Sequence, residues 1–350
     1  MAVLDDTELA ILKIERMVFH IVGPRPEHFQ RLVEISPGEF EDFFADRIRS
    51  ASRGNSYLFS DKAQTQSRLL SILMNTARFQ EESEKLAEDF QRAHGGQTAP
   101  GAFMVFLLRC GARRAFALMK YDDNTVLTYQ LEDAAAGRKK AKLESLQRNF
   151  VKDPSALQKA ALITLDPEPG VLNVMDRRNG AEVARYFELF LGAKREFDHC
   201  ELTKRIVDAA ISAVLDNQDL VPPEVYREAR RRAYNAAAGG GEITPDSSKT
   251  FLEAMFGTQL DDDDPIVRRY QTKLRVQRIQ DESFKLDPTG LKRPRRRNIE
   301  TSRGVRVTFP EELNDLVTVD RENGRITISD KIIRDDVENL ADPRTGRTTS

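Results

Sequence analysis

Two apolar stretches separated by a four-residue break constrain this chain more than any other feature. Gly101–Arg109 (GAFMVFLLR) and Arg114–Tyr121 (RAFALMKY) flank Cys110-Gly111-Ala112-Arg113. Runs of this length, rich in Phe, Val and Leu and joined across a glycine, read as an antiparallel hairpin. Arg109 closes the apolar run Phe103–Leu108, far short of the roughly 20 residues a membrane helix needs. Further strand signals lie at Leu9–Val22, which alternates loosely, and at Thr125–Leu131, Lys159–Leu165 and Val171–Met175. The expectation is an α+β protein: one antiparallel sheet with packed helices on a face, a helical middle region and a small C-terminal β region.

Helix signals surround these strands. Ser36-Pro37-Gly38-Glu39 offers a capping serine, a proline at the first helical position and a glutamate three residues after the cap. Phe40, Phe43, Phe44 and Ile48 follow at helical spacing. Gln64–Ala93 reads as one longer helix. Asn179 caps a segment in which Val183, Tyr186, Phe187, Phe190 and Leu191 repeat at 3.6-residue spacing and Gly192 ends the turn. Val207–Leu215 repeats that pattern. Pro222-Pro223 opens a helix running to Ala238, and Gly239-Gly240-Gly241 breaks it. Thr250–Phe256 and Pro265–Ile279 predict two more. Arg303–Thr308 alternates like a strand, and Leu316–Asp320 and Arg325–Ser329 flank the hairpin signal Asn323-Gly324. The resulting division is an N-terminal α+β domain (1–175), a helical region (176–280), a basic arm with the C-terminal β region (281–340) and a polar tail (341–350).

The chain has 350 residues and a net charge of −2, from 54 Lys+Arg and 56 Asp+Glu. A role in gripping a polyanion therefore requires the basic residues to be gathered locally. They are. Residues 266–306 hold 13 Lys/Arg against four acids, a local charge of +9, and 138–152 reach +5. Arg227, Arg230, Arg231 and Tyr234 share one face of the Pro223 helix. Arginines placed along a strip release counterions from phosphates and fork onto phosphate oxygens. Lys292-Arg293-Pro294-Arg295-Arg296-Arg297 reads as a flexible arm for a groove or backbone. The plain alternative is a solvated, densely charged face, since 31% of the residues are charged. Asp261–Asp264 just upstream also offers neutralising charge for a second copy.

Catalytic motifs are missing. Gly239-Gly240-Gly241-Glu242 lacks the Gly-Lys-Ser/Thr of a phosphate loop, and there is no G-x-S-x-G or H-E-x-x-H. Two cysteines and four scattered histidines give neither a disulfide scaffold nor a zinc site. Asp261–Asp264 can be read as a cation site, but Asp264 before Pro265 fits a helix cap better. Lys120 with Asp122 and Asp123 at a strand end is the one feature a metal-dependent nuclease would want. Leu118 stands where the paired acid belongs. No cofactor is expected, and Met1–Glu8, with three acids and no basic residue, is unlike a secretory leader.

The pattern resembles the bacterial nucleoid-associated proteins of the NdpA/YejK type. The stretches that carry the likeness are Ile14–Ile21 (IERMVFHI), Phe103–Tyr121, Ala160–Asp166 (AALITLD), Val174–Gly192 (VMDRRNGAEVARYFELFLG) and the Val317–Ile328 hairpin. Arg177-x-x-Gly180, then Val183-Ala184-x-x-Phe187 and Phe190-Leu191-Gly192, is the most recognisable part. The resemblance implies binding to DNA within the bacterial nucleoid, in the cytoplasm, and brings no catalytic residues with it. Contact candidates rest on charge alone: Arg268, Arg275, Arg293, Arg295, Arg296 and Arg297 first, then Arg227, Arg230 and Arg231, then Lys139 and Lys140. The expected partner is double-stranded DNA, held mainly by its phosphates, with a homodimer as a way to double the footprint. A metal-dependent nuclease or DNA-triggered effector in defence against foreign DNA, and a scaffold for an acidic protein partner, are the alternatives.

Overall fold

The computed structural model describes residues 3–94, 96, 99–122, 124–134, 138–149, 157–332 and 335, with the backbone alone at 122–149 and 312. The chain divides into two compact units, Met1–Leu291 and Lys292–Ser350.

In the first unit, helix α1 (Asp6–Ala10) precedes strand β1 (Lys13–Val22), helix α2 (Glu41–Ala51) and strand β2 (Asn55–Phe59). Helices α3 (Gln64–Met74) and α4 (Phe79–Ala93) lead to the expected hairpin, β3 (Gly101–Cys110) and β4 (Arg113–Asp122). A two-stranded ribbon follows, β5 (Asn124–Ala134) and β6 (Arg138–Asn149), then β7 (Leu157–Thr164), β8 (Val171–Asp176), α5 (Arg185–Leu191) and β9 (Ala193–Arg195). Seven of these strands form one sheet in the order β1-β3-β4-β7-β8-β2-β9, antiparallel throughout. The protein is of the α+β class.

The unbroken apolar character of β3 and β4 has a direct cause: both faces of the sheet are covered. Phe103, Val105, Leu107, Phe116 and Leu118 face a core with Leu69 and Ile72 of α3, Leu86 and Phe90 of α4, and Phe187 and Phe190 of α5. The alternate residues Met104, Phe106, Leu108, Ala117 and Met119 face a second core with Phe44 and Ile48 of α2. A strand buried on both sides shows no alternation. Phe90 stacks on Phe103 at 4.7 Å between ring centroids.

The helical part comprises α6 (His199–Leu215), α7 (Pro223–Arg227), α8 (Ala229–Ala238), the short β10 (Glu242–Ile243), α9 (Lys249–Phe256), α10 (Pro265–Val276) and β11 (Phe284–Lys285). It buries its own core, in which Ile206, Ala210 and Val214 of α6 meet Ala233 of α8, Leu252 of α9 and Tyr270 and Leu274 of α10. A polar seam ties it to the sheet. The Ser56 amide donates to Glu282 at 2.8 Å and the Ser283 amide to Asn55 at 2.7 Å. Arg195 reaches both Glu282 and the Ser283 carbonyl. Burial pushes the Glu282 carboxyl above its ordinary range, and Arg195 opposes that.

The second unit holds two hairpins. Strand β12 (Arg296–Glu300) pairs with β13 (Arg306–Pro310), and β14 (Val317–Asp320) with β15 (Arg325–Ile328). Asn323-Gly324 forms the second turn as its sequence predicts. Gly324 takes φ +62°, and Asp320 accepts the Glu322 and Asn323 amides.

Several boundaries differ from expectation. The Gln64–Ala93 segment is two helices, because Asn75 is extended and its side chain accepts the Ala77 amide. The helix expected from Ser36 begins at Glu41, after a short turn at Gly38–Phe40. Asn179 does not cap α5. Its side-chain amide donates to Asp176, whose carboxylate also accepts the Ala184 amide, so the helix starts at Arg185. The Pro223 helix breaks at Glu228. Thr125–Leu131 lies in β5, which pairs with β6 rather than joining the main sheet.

Candidate nucleic-acid interface

Helix α10 turns one face inward with Ile266, Val267, Tyr270 and Leu274. Asp264 caps it, accepting the Ile266 amide at 2.9 Å, as its place before Pro265 predicts. Asp262 is bound to Lys249 at 2.5 Å. Among the described residues no cluster of His, Cys, Asp and Glu suits a metal ion.

The opposite face of α10 is basic. Arg268, Arg269 and Arg275 are exposed. Arg268 and Arg275 are two turns apart, about 10 Å along the axis. Neither is paired with a carboxylate among the described residues, and Arg275 donates to the Gln280 amide oxygen at 3.0 Å. Two neighbours in sequence are bound internally: Lys273 to Asp216 at 2.5 Å and Arg278 to Glu196 at 2.9 Å.

The basic arm is more ordered than a flexible tether. Arg293 and Arg295 are exposed in the approach to β12, and the Arg295 carbonyl accepts the Glu311 amide. Arg296 and Arg297 belong to β12 itself. Strand pairing sets Arg296 opposite Pro310, on the exposed side, and Arg297 opposite Phe309. Arg297 is half-buried and donates to Asn314 at 3.0 Å. A two-residue period thus splits these neighbours between two faces.

On α7 and α8, Arg227 and Arg230 are exposed without a carboxylate partner among the described residues. Arg231 is held by Glu228 at 2.5 Å. Lys139 and Lys140 lie in β6, opposite Asp133 and Glu132 in the backbone register; their side chains lie outside the described ones, as do those of Asp122 and Asp123. Lys120 is buried, and its ammonium donates to the Tyr121 carbonyl at 3.0 Å.

The fold also makes two arrangements that the sequence reading missed. One is a cleft of about 500 Å³ in the first unit, lined by Arg49 and Arg53 of the α2 end, by Arg275 and Arg278 of the α10 end, and by Ser52 and Ser56. Arg49 lies in α2 and Arg53 two residues past its end, both far in sequence from Arg275 and Arg278. The other is the buried pair Lys159–Asp176, 2.5 Å apart. Asp176 also accepts the Arg178 amide at 3.1 Å, and Lys159 lies 5.3 Å from the Tyr186 ring centroid. This fixes the Arg177–Gly180 turn that carries the sequence resemblance.

Fold and surface define an α+β protein with exposed arginines on the outward face of α10 and on a C-terminal hairpin. The chain belongs to the family described as nucleoid-associated protein YejK (NA37), whose model matches residues 18–337. No curated protein matches it significantly. The protein is therefore nucleoid-associated by family. Among the described residues no helix is long and apolar enough to cross a membrane.

Proposed function

We propose that this protein binds double-stranded DNA without catalysis, mainly through the phosphates and with little sequence preference. The observation that carries the reading is the set of exposed arginines on α10, with Arg268, Arg269 and Arg275 unpaired with carboxylates among the described residues. Arginines locked to carboxylates would gain little from phosphate, because a bond would be exchanged rather than formed. Arg227 and Arg230 extend the set, Arg293, Arg295 and Arg296 add to it on exposure and charge, and Arg231 and Arg297 have partners to give up. Lys139 and Lys140 complete it on charge. A homodimer in the bacterial cytoplasm would double the footprint.

Each phosphate neutralised contributes about 0.9 to the slope of log affinity against log salt. Six to ten contacts would therefore lower affinity on the order of a thousand-fold or more between 50 and 200 mM salt. Changing Arg295, Arg296 and Arg297 to Ala should flatten the slope by about two to three units. Titration of a random-sequence duplex at several ionic strengths measures both. A wild-type slope in the triple variant removes the arm from the interface, and no duplex binding at 50 mM salt removes the reading itself.

A further inference from the structure

The cleft between the ends of α2 and α10 brings four guanidinium groups from two distant parts of the sequence to one concave surface. Its volume of about 500 Å³ falls in the range of small-ligand sites and excludes a duplex. The lining is polar, with Leu4 and Leu9 its apolar members and no aromatic ring among the described residues. Such a surface has nothing on which to stack a base. It has many donors for oxygen.

Four acids also line it, Asp5, Asp6, Asp281 and Glu282, and three of them have donors. Asp5 accepts the Glu8 amide at 2.8 Å, and Glu282 is held by Arg195 and the Ser56 amide. Asp281 accepts from Gln280 at 2.9 Å. Three of the four arginines are in ion pairs but keep donors beyond them, and Arg275 has no carboxylate partner among the described residues. Each guanidinium carries five N–H donors. Arg49 uses two, on the Leu9 carbonyl and Asp46. Arg53 makes one contact, at 3.2 Å, with an Asp246 carboxylate that is 88% exposed. Arg275 makes one with Gln280 and Arg278 one with Glu196.

Arg278 adds an independent sign. Helix α10 ends with the Arg278 amide on the Arg275 carbonyl and the Ile279 amide on the Leu274 carbonyl. In that helix ending, the residue at the place of Arg278 is usually glycine, because it must be left-handed. Arg278 takes φ +58° there. Strained backbone at a non-glycine residue is a sign of function when it lines a cleft.

We propose that this cleft binds a short run of phosphates: the di- or triphosphate of a free nucleotide, or the phosphorylated end of a nucleic-acid strand. The inference shares Arg275 with the proposed duplex surface, and the variants that test it, at Arg53 and Arg278, leave that surface unchanged. Sodium tripolyphosphate, titrated calorimetrically at 50 mM salt into the full-length protein, probes the cleft directly. R53Q and R278G should each weaken binding about tenfold, the worth of one charge-assisted hydrogen bond. R278G also relieves the left-handed backbone. Should it nonetheless unfold, the exposed R53Q still decides the matter. A single-stranded oligonucleotide with a 5′-phosphate, compared with its 5′-hydroxyl form, distinguishes the sources: a preference lost in R53Q identifies a strand end, and equal binding with retained tripolyphosphate affinity identifies a free nucleotide. Absence of tripolyphosphate binding by the wild-type protein, or equal binding by it and both variants, overturns the proposal.

Discussion

At the scale of single residues, the fold depends on a few buried polar groups whose partners lie far away in sequence. Asp176 gathers a lysine, two backbone amides and an asparagine amide around one carboxylate. Removing one partner of a buried pair leaves an uncompensated charge, so Asp176→Ala should cost about 3–5 kcal/mol by urea denaturation. Replacing both partners, as K159M with D176L, should recover part of that loss. Greater damage in the double variant would refute the account. His20 is a second case. It is fully buried, its Nδ1 accepts the Leu32 amide at 3.2 Å and its Nε2 faces the Ser83 hydroxyl at 3.4 Å. Burial pushes its pKa down to about 4. The unfolded chain then binds the proton more readily, and stability falls as the pH drops from about 6.5 towards 4. The loss amounts to roughly 3 kcal/mol. It should be absent from H20Q; an unchanged pH dependence in that variant would show that other groups govern it.

Elements show where local signals were sufficient and where they were not. The hairpins β3–β4 and β14–β15 were legible because turn chemistry and strand pattern act over a few residues. Helix α10 was legible because Asp264 and Pro265 mark its start. The break at Asn75 and the late start of α5 were not, because each depends on a side chain competing for backbone amides in the folded protein. Close approach of strands is equally invisible in sequence. A Cβ added at Gly54 would sit 2.6 Å from the Val174 backbone. That neighbour cannot rotate away, so G54A should lower stability by about 1–3 kcal/mol or more. An unchanged urea midpoint would mean that β2 and β8 can separate freely. On α8, Arg231 is bound to Glu228 and Arg230 is not. R230A should therefore reduce the salt slope of DNA binding more than R231A does, and the reverse order would exclude this helix from the interface as drawn.

For the whole molecule, net charge and local charge diverge. A protein of net −2 has no global attraction for DNA, so any grip must be local. Replacing the exposed acids Glu39 and Asp61 by their amides brings the net charge to zero without touching the arginines. Duplex affinity should keep its salt slope within about one unit. A slope that followed net charge would show a diffuse field instead of a defined surface. The sequence by itself determined the α+β class, the central hairpin, the family likeness and the concentration of arginine in residues 266–306. Those are properties of composition and short-range period. Only the tertiary structure decided which arginines keep their donors, because ion pairs such as Arg278–Glu196 and Lys273–Asp216 join residues 82 and 57 positions apart. It alone brought Arg49 and Arg53 beside Arg275 and Arg278, since two helix ends become neighbours only when the cores beneath them have formed.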